Sequence, residues 1–268
     1  MAQPCLLCWD NAVVTGSLSS GSELPALGSA NLQNVFGSAD QAWQTASGVL
    51  TYEAGAWLLL DCGAQTALRV FSLHRTNLTA AAMVRWRVWA SADQTATPVI
   101  DTGLIAAQVA PYYLQHVFVA PFACVGRYVR LDILDPSNPD GFVNVAQACI
   151  GPAWQPVHTF GYASSVGRTQ GGAKTTTRGG QVYARTDWIS RAWKITLASV
   201  ERREVWARLM DLDRAARLNG NVLFVPNPDA HEAPMATLFG LLEPSTDVTW
   251  PQASPRLRSW SATLTERL

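Results

Sequence analysis

Polar and apolar residues alternate cleanly in several short runs of the first half of the chain. Val84, Trp86, Val88 and Ala90 fall on one face, and Met83, Arg85, Arg87 and Trp89 on the other. Tyr128, Arg130 and Asp132 interleave in the same way with Val129, Leu131 and Ile133. A period of two marks strands with one face buried. Ala56 to Cys62 and Leu68 to His74 add two further strand candidates, separated by Gly63-Ala64-Gln65, which reads as a turn. Thr76 to Thr79 and the Pro/Asn/Asp-rich Asp135 to Gly141 are turn segments by composition. Leu6 to Val14 predicts a first short strand, and the rest of residues 1–50 predicts long surface loops.

The pattern changes after Gly151-Pro152. Residues 154–180 are rich in Gly, Thr, Ser and basic side chains and cannot bury a core, so they predict a linker, a flexible arm or a long hairpin loop. Val182 to Arg185 and Ile189 to Leu197 predict strands. Val200, Val205, Leu209, Leu212 and Ala216 then recur at helical spacing, which predicts a helix over 200–218 with Ser199 as N-cap and Asn219-Gly220 as its stop. Val222 to Val225, Ala236 to Leu242 and Leu257 to Thr265 complete the order strand, strand, helix and three strands. The expected organisation is residues 1–153, a connector over 154–180, and a smaller unit over 181–268.

Net charge is zero over 268 residues, but residues 1–153 carry −4 and residues 154–268 carry +4. A neutral total argues against nucleic acid as the main partner. No run approaches the roughly 20 apolar residues that span a bilayer, and the start, MAQPCLLCWDN, lacks the features of an export signal. A cytoplasmic setting is therefore expected, and five sparse cysteines suit reduced thiols.

The segments LDCG, LRVFSLHRTNLT and VRWRVWAS, followed by GRYVRL and GFVNVAQACIG, resemble a galactose-binding-like (discoidin-like) domain over about residues 1–153. The resemblance implies a jelly-roll β-sandwich with a sugar site in loops at one end. The element order of the second half, closed by RLRSWSATLTE, resembles the tail-tube-like module of bacteriophage tail proteins. Together with LLCWDN and ANLQN, the pairing resembles minor tail or tail-tip proteins of long-tailed phages. The fold class expected is mainly β: the N-terminal sandwich plus a smaller C-terminal β-sandwich flanked by one helix. What the resemblance implies is a structural virion component of a tail tip or baseplate, assembled in the bacterial cytoplasm, that forms a ring with itself and contacts neighbouring tail proteins. The alternative is a module that binds a host-surface carbohydrate.

The candidate chemistry is thin. His74, Asn77, Asn138 and Asp140 fall in predicted loops and offer the amide, imidazole and carboxylate groups that a sugar needs, with Asp40 and Trp43 nearby in pattern. The plainer reading is that Asn77 and Asn138 cap turns through their own side chains and that Trp43 anchors its loop. Cys5 and Cys8 have the spacing of a metal pair, but no second pair exists and His74, His116, His158 and His231 are dispersed, so neither metal nor cofactor is expected. No GxSxG, HExxH or P-loop pattern is present, so no enzyme is expected. Arg168, Lys174 and Arg178 in the connector, and Arg202 and Arg203 on the helix, are candidate assembly contacts, with a solvated charged surface as the alternative.

Overall fold

The computed structural model describes residues 4–48, 56–229, 232–250 and 256–267. The chain divides into two compact units. The first comprises Met1–Gln155 with Val225–Thr237, and the second Pro156–Phe224 with Leu238–Leu268. The stretch 225–237, predicted to belong with the C-terminal half, thus returns to the first unit.

The first unit is built on β1 (Leu6–Cys8), β2 (Ser17–Ser20), β3 (Trp43–Gln44), β4 (Trp57–Thr76), β5 (Met83–Trp89), β6 (Ile100–Asp101), β7 (Ile105–Ala106), β8 (Gln115–Leu134) and β9 (Asn144–Gly151). The pairings among β2 to β9 are antiparallel. Strands β4 and β8 run 20 residues each and pair with one another along both of their halves. Early β4 also pairs with β2, and late β4 with β9. Late β8 pairs with β5.

The two halves of these long strands face one another across a single core. Leu58, Leu60, Val129 and Leu131 from one half join Phe71 and Leu73 from the other, and Val145 and Ile150 of β9, in one buried cluster, with Trp43 and Trp86 among them. A sheet bent over its own apolar side in this way is a β-sandwich. Register shifts in β4, between Asp61 and Thr66 and between Leu68 and Val70, mark the bend. Gly63 there has φ +76°, a left-handed conformation that a side chain disfavours. Gly63-Ala64-Gln65 therefore kinks one strand where a chain reversal was expected. Asp61 fixes the kink: it accepts the Gly63 N–H at 2.8 Å and holds Arg127 of β8 through two bonds of 2.6 and 2.8 Å. The Arg127 guanidinium lowers its carboxyl to about 2.

Leu6 to Val14 is not one strand. Asn11 accepts the Val13 N–H and starts a helical turn, α1 (Ala12–Thr15), after β1. Cys5 and Cys8 are buried, and the Cys8 thiol lies 3.9 Å from that of Cys149, which donates to it. That contact and burial raise the Cys149 pKa well above the ordinary thiol value.

The second unit consists of β10 (Ser165–Thr176), β11 (Val182–Glu201), α2 over residues 202–217, β12 (Asn221–Val225), β13 (Leu238–Pro244) and β14 (Leu257–Glu266). Antiparallel pairing gives the order β12-β13-β14-β11-β10. Strand β11 continues to Glu201, so the N-cap of α2 is Glu201 and not Ser199. Helix α2 lays Val205, Leu209, Leu212 and Ala216 into the core. Phe160, Trp193 and Phe224 pack edge to face, with ring centroids 5.4 to 5.8 Å apart.

The stretch 154–180 supplies β10 and the turn that follows it. β10 and β11 form a hairpin that runs past the rest of the sheet, because β14 pairs with β11 only from Ala192 onward. A turn closes it, in which Thr177 N–H donates to the Gln181 carbonyl at 2.9 Å and Gly180 has φ +82°.

One buried titratable group of the first unit makes the fold sensitive to acid. His116 donates through Nδ1 to the Ala107 carbonyl at 2.8 Å and accepts from Trp86 Nε1 at 3.0 Å, so it is held neutral. Burial lowers its pKa from 6.5 to about 4. In the unfolded chain the imidazole takes up a proton between those values while the folded one does not. Stability contributed by neutral His116 is therefore complete above pH 6.5 and declines as pH falls toward 4. The slope amounts to about 1.4 kcal/mol per pH unit at most. Thermal melts between pH 7 and pH 4 should show a steeper loss of Tm in the native chain than in His116→Gln, and equal slopes would contradict this assignment.

Candidate functional site

The turn after β4 and the loop before β9 meet at one end of the first unit. Asn77 joins them. Its Nδ2 donates to Asp140 Oδ2 at 2.8 Å and to the Phe142 carbonyl at 2.9 Å, and its Oδ1 accepts the Asn144 N–H at 2.7 Å. Asn138 is buried. Its amide donates to the Asn77 carbonyl and to Asp135, each at 3.1 Å, and its Oδ1 accepts the Asp140 N–H at 3.0 Å. Asp135 is fully buried and takes both the backbone and the hydroxyl of Thr79, at 2.9 and 2.6 Å. These are turn-capping roles. Neither asparagine has a side-chain N–H left for a ligand.

What this lock presents is a concavity of about 330 Å³ lined by Arg75, Thr76, Asn77, Leu114, Asp140, Phe142 and Asn144. Two of these residues hold backbone conformations that L-residues rarely adopt: Arg75 has φ +53° and Leu114 φ +48°. They are neighbours, since the Thr76 N–H donates to the Leu114 carbonyl at 2.9 Å. The Nε of Arg75 is buried with no hydrogen-bond partner, and among the described residues the guanidinium has no ion pair. Asp140 lies exposed on the same rim. A cation, a carboxylate and the partly exposed Phe142 therefore border one pocket.

His74, the other predicted ligand group, is placed differently. It is buried, with Nε2 at 2.9 Å from Ser72 Oγ and Nδ1 at 3.3 Å from Gln115 Oε1. Gln115 donates in turn to the carbonyls of Pro234 and Thr237. His74 is thus part of an interior network that ties β4 and β8 to the returning segment 233–237, and it does not face the pocket. Asp40 sits on an exposed turn, where its own neighbour Ser38 donates to it, and Trp43 is in the core. His158 is exposed and His231 lies outside the described residues.

No family model and no curated protein matches the sequence. Among solved structures, the lectin domain of lectinolysin in complex with Lewis B antigen is similar over 53% of this chain and 95% of its own, at 12% identity and TM-score 0.40. A fucose-binding module of Streptococcus pneumoniae matches 53% of this chain and 98% of its own, at 13% identity and TM-score 0.40. A CBM32 module of Clostridium perfringens in complex with GalNAc-β-1,3-galactose matches 53% and 98%, at 12% identity and TM-score 0.39. All three are carbohydrate-binding modules and none is a phage tail protein. At these identities and scores the likeness assigns no residue and no ligand to this chain.

The assembly candidates fall into two groups. Arg168 and Lys174 lie on β10 and Arg178 in the hairpin turn, all exposed. Arg202 and Arg203 open α2, where Arg203 pairs with Glu201 at 2.8 Å. Arg75, Leu114 and Phe142 were not among the predicted site residues. Arg75 and Phe142 flank the two turn segments in sequence, and Leu114 flanks neither.

Because Asn77 satisfies three backbone or side-chain groups across the loop junction, Asn77→Ala should cost about 2–3 kcal/mol in chemical denaturation. A loss below about 0.5 kcal/mol would show that the junction is held by other contacts.

Proposed function

We propose that the N-terminal unit is a carbohydrate-binding module whose site is the concavity bordered by Arg75, Asp140 and Phe142. Arg75 carries this reading: a side chain on a strained backbone, without a carboxylate partner among the described residues, with a buried Nε whose hydrogen bond is unmade. Strain and an unpaired cation at one spot are costs that a binding site accepts. A pyranose matches what surrounds them. Its hydroxyls can accept from the guanidinium and donate to the Asp140 carboxylate, and its C–H face can rest on Phe142 and Leu114. The chain binds and does not catalyse. A glycan array followed by calorimetry tests this. Arg75→Ala should lose about tenfold or more in affinity for whichever glycan binds, and absence of binding across the array, or binding indifferent to Arg75, removes the proposal.

A second reading has its own observation, the β10–β11 hairpin. From Ser165 to Ile189 nearly every residue is exposed, including Val166, Val182, Tyr183, Trp188 and Ile189. Before Ala192, among the described residues, each of the two strands pairs only with the other, so both outer edges are open. A lone two-stranded ribbon is marginal in water, and open edges are sites for pairing with another chain. Trp188 lies across Gly171, leaving no space for a Cβ there, which stiffens the ribbon. On this reading copies join edge to edge through the hairpin into a ring, as in the tip of a long phage tail, with Arg168, Lys174 and Arg178 at the contacts and neighbouring tail proteins above and below. A closed ring needs a heterologous interface, which two different edges provide. Light scattering and electron microscopy of the native chain should show a cyclic oligomer that is lost when residues 167–187 are replaced by a short turn. A native chain that stays monomeric at every concentration, alone and co-expressed with its genomic neighbours, ends this reading.

A further inference from the structure

The second unit holds a concavity that neither reading uses. Helix α2 has two stripes. Val205, Leu209, Leu212 and Ala216 are buried, and one position further on lie Trp206, Met210, Asp213 and Arg217, at the same spacing. A π-helical turn over Val205–Leu209 sits at the start of this second stripe, and such turns recur at functional sites. The second stripe forms one wall of a groove of about 530 Å³. Asp247 and Trp250, and Arg258 of β14, form the opposite wall. Trp206 is 70% exposed and Trp250 66% exposed, so two indoles border the groove in contact with water. Trp206 also borders an adjoining concavity of about 700 Å³, shared through Arg202.

The charges of the groove are largely matched from within. Arg217 pairs with Asp213 at 2.7 Å and with Asp247 at 3.2 Å. The Arg258 guanidinium lies 4.8 Å from the Trp250 ring centroid and donates to the Leu257 carbonyl at 2.8 Å. On the far side of Trp206, Arg203 pairs with Glu201 at 2.8 Å. An ionic ligand would have to compete with these pairs. A neutral one with many hydroxyls would not: paired Arg and Asp keep free lone pairs and N–H groups, and Arg202 adds further donors. Exposed indoles favour a ligand with a flat apolar face and a wet edge. A pyranose has both, and the size of the groove falls in the range of small-ligand sites, about 300–1,000 Å³.

From these features we infer that the Trp206–Trp250 groove binds an extended neutral oligosaccharide, with sugar rings against the indoles and hydroxyls on the Arg217–Asp213–Asp247 set. This site is separate from the Arg75 pocket and does not depend on it. The probes are neutral gluco-, manno- and N-acetylglucosamine oligosaccharides, titrated into the full chain by calorimetry and tryptophan fluorescence. The expected result is a Kd of about 1 mM or tighter for at least one series. Trp206→Ala and Trp250→Ala should each weaken it about tenfold or more, and Trp206→Phe should retain part of it. Trp206 is outside the core, so circular dichroism and Tm should stay native in its variants. If Trp206→Ala nonetheless fails to fold, Trp206→Phe and Trp250→Ala decide the question. Absence of binding by every series, binding indifferent to both tryptophans, or saturation of the groove by a proline-rich peptide in place of sugar overturns the inference.

Discussion

The N-terminal unit depends on the bend in its two longest strands. A straight 20-residue strand would span about 66 Å, far too long to share one core with its own other half. Bending β4 and β8 together lets a single pair of strands build both layers of the sandwich. The bend needs a residue that tolerates positive φ, which is Gly63, and something to hold the two strands in step where their ladder is interrupted. The two-bond Asp61–Arg127 pair spans the gap. Everything at the far end, including the meeting of the turn after β4 with the loop before β9, follows from late β4 being folded back over early β4.

Much of this was legible from alternation, because a half-buried strand writes its period into the sequence whatever its partner. Met83 to Trp89 and Tyr128 to Leu134 are cases. The bend was not legible. Gly63-Ala64-Gln65 has the composition of a reversal, and only the register of β8 opposite it makes it a kink. His74 was misplaced for a related reason. On an alternating strand with Phe71 and Leu73 facing the core, Ser72, His74 and Thr76 should face water. They are buried, and at His74 the cover comes through Gln115, which holds residues 233–237 from far along the chain. A cover supplied from so far away leaves no mark on the local pattern.

The candidate site shows the same division. Turn chemistry located Asn77, Asn138 and Asp140, and the structure brings them within hydrogen-bonding reach of one another. What turn chemistry does not give is orientation: the two asparagines are used up in holding the loops, and the side chains left facing the pocket are their neighbours Arg75 and Phe142. Left-handed φ at an arginine is a property of the closed loop and not of the HRTN string. On α2 the charges read only as assembly contacts or an ordinary solvated face, and the second stripe went unread. Trp206 and Trp250 change that picture only once the segment bearing Trp250 is seen opposite the helix.

The two units differ in how they treat exposed surface, and that difference bears on function. The first unit buries Trp43, Trp86, Trp89 and Trp154, half-buries Trp9 and Trp57, and leaves a small polar pocket at one end. The second buries Trp260 and packs a half-buried Trp193 against Phe160 and Phe224, but leaves Trp188, Trp206 and Trp250 in water. Large aromatic side chains at the surface contribute little to folding, since the area they would remove from water stays exposed. Three such residues in one small unit, one on an open-edged ribbon and two around a groove, put large apolar side chains where another molecule can reach them. Folding alone does not require this arrangement, whereas the binding and assembly proposed above would use it.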